Sequence, residues 1–229
     1  MASKLSVCHQ AAEGNPMLIF KQQVNGDLLD LSTFRSTPRA LVTRPALVLS
    51  ACYKFSLVWW GSEMHGCCPS VQVHRPRPSD PDTFIIGDAG VYGGNSPTGA
   101  AVIVKSINDP DHRLIRRPLG WTQVWNDQGS GGSDNGAIWS AEAPDGFVGI
   151  GAVASLGYDA PIIPNYGCIN TSLLTQVTSG LIPIWKDQGS LAHQDVEFWA
   201  APRLPNAFVT SNTYDAPPPE GVYVFRCGR

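Results

Sequence analysis

Apolar and polar residues alternate in short stretches through most of the chain. Val71 and Val73 alternate with Gln72 and His74, Ala137 and Trp139 with Ile138 and Ser140, and Val196 and Phe198 with Glu197 and Trp199. A period of two is the mark of a strand with one buried face, so each stretch predicts a half-buried strand. Gly129 to Gly136 is rich in glycine, serine and acidic or amide residues and predicts a turn-rich loop between strands. Phe147 to Gly151 predicts a further strand, opened by a Pro-Asp-Gly turn. No long helix is predicted. Gly26 to Phe34 is a short-helix candidate, weakened by Ser32 and Thr33.

The pattern repeats. Val124-Trp125-Asn126-Asp127-Gln128-Gly129-Ser130 matches Ile184-Trp185-Lys186-Asp187-Gln188-Gly189-Ser190 at an offset of 60 residues. In both copies a second tryptophan, Trp139 or Trp199, follows the first by 14 residues. A Pro-x-x-Phe comes next, as Pro144 to Phe147 and Pro205 to Phe208. Tyr166-Gly167-Cys168 is matched to the stretch ending at Cys227. A weaker upstream copy places Trp60 at the first tryptophan, His74 at the second, and Pro81 to Phe84 at the Pro-x-x-Phe. Shared spacing in three places predicts duplication. The expected fold is therefore all-β, a pseudo-threefold β-prism-like domain of three repeats of roughly sixty residues. Its expected divisions are 46–118, 119–179 and 180–229, with residues 1–45 packed on it as an N-terminal segment. The alternative is a β-trefoil, whose units are usually shorter.

Composition sharpens this. Charged residues make up only 15% of the chain, while 23 glycines, 19 prolines and 7 tryptophans favour short strands and frequent turns over helices. The net charge of −3 offers no basic face for nucleic acid. The densest basic group, Arg113, Arg116 and Arg117, reads as a solvated loop. Residues 1–10 have no apolar core of signal-peptide length and no stretch reaches membrane-span length, so cytoplasmic synthesis is expected, which leaves non-classical release open as a later step. Six cysteines in such a chain read as buried reduced thiols. Cys67 and Cys68 with His65 and His74 do not have zinc-ligand spacing.

Five segments carry a family resemblance: Phe55-Ser56-Leu57-Val58-Trp59, Pro81-Asp82-Thr83-Phe84, Gly99 to Val104, Trp121-Thr122-Gln123-Val124-Trp125, and Ala143 to Phe147. Taken in order, they resemble the vacuolar protein sorting-associated protein sixty-two family of plants and fungi over about Ala46 to Arg229. His74 departs from the pattern, which has an aromatic there. The family's members are larger, so the chain resembles a minimal version. The resemblance implies β-prism modules similar to those of endosomal sorting proteins, which attach to acidic membranes.

No nucleophile elbow, phosphate loop, His-Glu-x-x-His or dinucleotide fingerprint occurs, and none of the five histidines lies in a catalytic motif. The chain is therefore read as non-enzymatic, with no cofactor and no metal site. The repeated Asp-Gln-Gly-Ser loops are the candidate site: Asp127, Gln128, Gly129, Ser130 and Asp134 in one, and Asp187, Gln188, Gly189, Ser190 and Asp195 in the other. A carboxylate accepts from sugar hydroxyls and amides donate to them, while Trp121, Trp125, Trp139, Trp185 or Trp199 would stack on the sugar face. The competing reading makes the aspartates turn caps, Gly129 and Gly189 the positive-φ residues, and the paired tryptophans core. The functional expectation is a lectin-like, carbohydrate-binding module for glycans, with defence among its uses. The alternative is a membrane- or lipid-binding sorting adaptor or toxin binding component.

Overall fold

The alternating stretches become strands in the computed structural model, which describes residues 17–20, 23–24, 27–28, 44–65 and 70–226. Short strands come first: β1 (Met17–Phe20), β2 (Gln23–Val24) and β3 (Asp27–Leu28). A first set follows, with β4 (Ala46–Cys52), β5 (Phe55–Gly61), β6 (Val71–Pro76), β7 (Phe84–Ile85), β8 (Ala89–Tyr92) and β9 (Ala101–Ile107). The second set is β10 (Ile115–Arg116), β11 (Gly120–Asn126), β12 (Gly136–Glu142), β13 (Phe147–Val148), β14 (Val153–Leu156) and β15 (Cys168–Asn170). The third is β16 (Leu174–Val177), β17 (Ile182–Lys186), β18 (Glu197–Ala200), β19 (Phe208–Ser211) and β20 (Val222–Phe225). The molecule is all-β, and no α-helix occurs among the described residues.

One pairing scheme recurs in the three sets. Three antiparallel sheets, β5-β6-β8, β11-β12-β14 and β17-β18-β19, each carry a bulge just before a tryptophan: between Leu57 and Trp59, Gln123 and Trp125, and Pro183 and Trp185. A bulge adds a residue on one strand and re-aims the side chains beyond it. Here it turns Trp59, Trp125 and Trp185 inward, where all three are buried. Their rings meet in sequence, Trp59 to Trp125 at 5.6 Å and Trp125 to Trp185 at 6.2 Å between centroids. Edge-to-face pairs of this kind contribute about 0.5–1.5 kcal/mol each beyond area burial. Flanking sheets β1-β4-β9-β7, β10-β15-β13 and β16-β20 complete the scheme, and their apolar residues form further core clusters with Trp139 and Trp199.

The three sets meet at a closed ring of backbone hydrogen bonds. Asp88 N–H donates to Ala152 O (2.9 Å), Ala152 N–H to Phe208 O (2.9 Å), and Phe208 N–H to Asp88 O (3.2 Å). The residues before the first two are glycines because the backbones nearly touch: a Cβ on Gly87 would lie 2.9 Å from Gly151 Cα. Asp88 also carries a buried ion pair. Arg75 donates to both its carboxylate oxygens (3.0 and 2.8 Å) and to Ala154 O (2.7 Å), while Ala154 N–H donates to Asp88 Oδ2 (2.9 Å).

Several sequence expectations need correction. Trp59, not Trp60, is the first tryptophan of the first copy; Trp60 is exposed on the other face. His74 does occupy the place of Trp139 and Trp199, since each is the last residue paired before its bulge. It lies one residue further along because the first hairpin is one residue longer. Strands β12 and β18 are not half-buried: Ile138 and Trp139 are both buried, as are Phe198 and Trp199, because these two strands are covered on both faces, whereas in β6 Gln72 and Arg75 stay partly exposed among buried neighbours. The Pro-x-x-Phe of the third copy is not equivalent to the other two. Phe208 joins the hydrogen-bond ring at the place of Ala152, so it stands several residues beyond the position of Phe147. Within the short-helix candidate, Asp27 and Leu28 form strand β3; its other residues, most of 1–43, and Cys67, Cys68 and Cys227 lie outside the described residues.

Candidate functional site

The Asp-Gln-Gly-Ser loops follow β11 and β17, directly after the inward tryptophans. Their sequence divides cleanly into buried and exposed positions. Asp127, Ser130, Asp187 and Ser190 are buried; Gln128, Gly129, Gln188 and Gly189 are exposed, as are Asp134 and Asp195. In each loop the aspartate closes the turn on itself. Ser130 N–H donates to Asp127 O (2.9 Å) and Ser190 N–H to Asp187 O (2.8 Å). Across the loop, Gly136 N–H donates to Asp127 Oδ1 (3.0 Å) and Val196 N–H to Asp187 Oδ1 (2.8 Å). Gly129 (φ 92°) and Gly189 (φ 86°) supply the left-handed turn residue, which a Cβ would strain.

Asp187 has a second duty. Its Oδ2 accepts from the indole N–H of Trp125 (2.9 Å) and from Ser190 Oγ (3.0 Å), so it ties the second tryptophan sheet to the third loop. These carboxylates are therefore internal struts and do not face a ligand. Burial pushes the carboxyls of both Asp127 and Asp187 above their usual range, against hydrogen bonds that pull them down. Tyrosines complete the two sites. The Tyr158 hydroxyl acts on the Asp127 carboxyl, pulling its pKa down against burial. The Tyr214 hydroxyl stands 2.9 Å from Asp187 Oδ1 and 2.8 Å from Asp195 Oδ1. One phenol proton serves only one carboxylate at a time.

The tryptophans expected to stack on a ligand are packed away. Trp125, Trp139, Trp185 and Trp199 are buried. Trp139 donates to Ser155 Oγ (2.8 Å) and Trp199 to Ser211 Oγ (3.0 Å), while half-buried Trp121 packs edge-on against Tyr166 at 5.1 Å. The first copy has Val91 at the serine's place on β8, and His74 meets the Gln72 side chain at 2.9 Å instead. Burial lowers the His74 pKa. Among the described cysteines, Cys52 and Cys168 are free and buried, and burial pushes the Cys168 thiol up to about 12. Arg113 pairs with Asp111, and Arg116 lies 4.8 Å over the Phe147 ring.

What the sequence did not reveal is that the loops converge. His65 N–H donates to Ser130 O (2.7 Å), Ser133 N–H to Ser62 O (3.3 Å), and Ser133 Oγ to Glu63 Oε2 (2.7 Å), which joins the first hairpin to the second loop. On the other side, a Cβ on Gly129 would meet Leu191 O at 2.9 Å and the His193 ring at 3.4 Å. The second loop is thus held between the first and third. Gln128, Asp134, Gln188 and Asp195 are exposed on this joined rim with Glu63, His65 and His193. Among the described residues no group of three or more His, Cys, Asp or Glu is placed to hold a metal ion, and no helix is long and apolar enough to cross a membrane.

The comparisons agree with this architecture. The chain is similar to GNIP1Aa from Chromobacterium piscinae, whose crystal structure superposes with a TM-score of 0.67 at 27% sequence identity. The match covers 79% of this chain but only 37% of that protein, so the chain spans well under half of its length. No curated protein gives a significant match. The sequence profile of vacuolar protein sorting-associated protein 62 matches residues 38–206, well over half of the chain, and the chain belongs to that family.

Proposed function

We propose that the chain is a non-enzymatic, lectin-like module that binds carbohydrate at the joined loop rim. The supporting observation is the division of labour within the two matching loops. Buried Asp127 and Asp187, with Ser130 and Ser190, fix the loops from inside and leave the side chains of Gln128, Asp134, Gln188 and Asp195 exposed. Amides that donate and accept, beside carboxylates that accept, match vicinal sugar hydroxyls. Tyr158 (36% exposed) supplies a flat apolar face beside them. Loops already held in shape lose little further conformational freedom on binding, and two matched loops would add avidity.

A second reading is a membrane-binding module. It draws on the family's description as a vacuolar sorting protein and on the exposure of Leu57 and Trp60 on β5 (51% and 40%). A glycan array screened with the intact chain, beside liposome pelleting, separates the two. The lectin reading expects a discrete glycan signal that free sugar removes and no pelleting with neutral liposomes. A blank array with pelleting on liposomes would replace it with the membrane reading.

A further inference from the structure

The outer face of the first tryptophan sheet differs from the other two, and strand register shows how. Trp60 pairs with Gln72, as Asn126 pairs with Ala137 and Lys186 with Glu197. Trp60 therefore stands where the other sets have Asn126 and Lys186. On the next strand Gln72 pairs with Val91, Ala137 with Ser155 and Glu197 with Ser211. Three residues beyond these partners come Gly94, Tyr158 and Tyr214. The turns agree with this correspondence: Gly93 N–H donates to Ser70 O (2.6 Å) at φ 75°, and Gly157 N–H to Asn135 O (2.7 Å) at φ 78°. So the second and third sets carry a tyrosine where the first carries Gly94. The Tyr214 ring lies 5.7 Å from Lys186 Nζ, and its hydroxyl reaches Asp187. The first set has lost both ends of that contact, since Gly61 stands at the place of Asp127 and Asp187.

The space of one aromatic ring is thus left open beside Trp60. Among the described residues a Cβ on Gly94 would meet only Gln72 Nε2, at 4.0 Å. Val71 and Val73 point into the tryptophan core, so Gln72 and His74, which alternate with them, share the outer face with their partners Trp60 and Leu57. Both Trp60 and Leu57 are exposed. Two primary amides flank the indole. Gln72 is held by the His74 ring at 2.9 Å, and Asn95 Nδ2 would stand 3.5 Å from a Cβ on Gly93. We propose that this face is a second carbohydrate site, in which one pyranose ring stacks on Trp60 in the space of the missing tyrosine and its hydroxyls bond to the Gln72 and Asn95 amides. The apolar face of a sugar ring packs on an indole, and a primary amide both donates to and accepts from hydroxyls. An acyl chain would cover the indole equally well but would strip the amides of water without replacing it, which is costly. The site shares its ligand class with the loop rim, and to that extent rests on the carbohydrate reading, but none of its residues belongs to the rim. A single stacked ring leaves little surplus over the cost of association, so binding here is weak and is read in solution, not on a washed array.

The test titrates the methyl glycosides of glucose, galactose, mannose and N-acetylglucosamine, each in turn, into the full chain and follows the tryptophan indole N–H resonances by NMR. The Trp60 resonance is identified by its absence from Trp60→Phe. At least one glycoside is expected to move it saturably. Gln72→Ala should weaken that binding about threefold. Gly94→Tyr restores the side chain of the other two sets at a position whose φ is not left-handed, and should weaken it more than tenfold. Circular dichroism reports whether this variant folds, and Gln72→Ala decides if it does not. The variant with Gln128, Asp134, Gln188 and Asp195 all changed to alanine should keep the Trp60 response, which separates this site from the rim. The proposal would be overturned by a Trp60 resonance that no glycoside moves, by a folded Gly94→Tyr or a Gln72→Ala that binds undiminished, or by a response that the rim variant abolishes. A Trp60 resonance that responds to neutral liposomes and to no glycoside would assign the face to lipid instead.

Discussion

The first set of strands and the other two solve one problem differently. All three must bring a bulge and an inward tryptophan to a common centre. The second and third sets hold the turn after that tryptophan with a buried aspartate, Asp127 or Asp187. The first set has Gly61 two residues after Trp59, with no carboxylate, and places its own buried acid at the ring where the chains cross, as Asp88 on Arg75. Asp127 and Asp187 satisfy loop backbone, so their energetic reach is local, apart from the Trp125 bond to Asp187. Asp88 touches groups from two sets at once. Duplication thus conserved the packing geometry while the polar supports diverged.

The largest effect is expected at the crossing. Replacing Asp88 by Ala leaves Arg75 without its bidentate partner and Ala154 N–H without an acceptor. Breaking a buried ion pair from one side costs about 3–5 kcal/mol, so urea denaturation should show a stability loss of that order. A loss under about 1 kcal/mol would place the strength of the crossing in its backbone ring alone. Next come the loop aspartates. Asp187→Ala should cost about 2–4 kcal/mol, because a backbone N–H, the Trp125 indole and two hydroxyls lose an acceptor, and Asp127→Ala about 1–2 kcal/mol. Equal losses for the two would break the distinction drawn between them. The double variant is expected to unfold, so loss of sugar binding in it would report on the fold and not on the site.

A smaller effect follows from pH. Burial raises the carboxyls of Asp88, Asp127, Asp187 and Glu197. A carboxyl whose folded pKa lies above its unfolded value binds its proton more tightly when folded. Its stabilising contribution is complete below the ordinary carboxylate range, about 4, and is lost as pH rises through the raised folded value. Asp80, lowered by Lys105, works in the opposite direction, but only in the acid below its ordinary value. The urea midpoint should therefore rise as pH falls from 7 towards about 5, and Asp187→Asn should flatten the rise. Least affected of all should be the exposed amides: Gln128→Ala with Gln188→Ala is expected to stay within about 0.5 kcal/mol of the parent in thermal denaturation.

The fold was legible because large side chains recur at fixed spacing. Trp125 with Trp139 and Trp185 with Trp199 marked both the strands and the repeat, and buried tryptophans tolerate little change. The first copy misled at Trp60 because one extra hairpin residue shifts the count and the adjacent tryptophans offer both choices. Phe208 misled because a deletion brought a second Pro-x-x-Phe into nearly the right place, and sequence spacing cannot distinguish a lost strand from a displaced motif. The site was half legible. The loops were located and their glycines understood, but a surface-looking Asp-Gln-Gly-Ser does not announce that its first and last residues point inward. That depends on which side of the bulge they fall, and on the neighbouring set's Trp125 reaching Asp187. Convergence of the three loops rests on contacts between residues about 70 positions apart, such as Glu63 with Ser133, which no local pattern encodes.

The central claim is that the outward side chains of the joined loops meet the ligand while the inward ones only support it. Its most direct test is glycan binding by the variant carrying Gln128→Ala, Asp134→Ala, Gln188→Ala and Asp195→Ala, compared with the parent chain on the same array and matched for folding by circular dichroism. A folded variant whose glycan signal falls at least tenfold is expected. A folded variant that binds the same glycan with undiminished signal would contradict it.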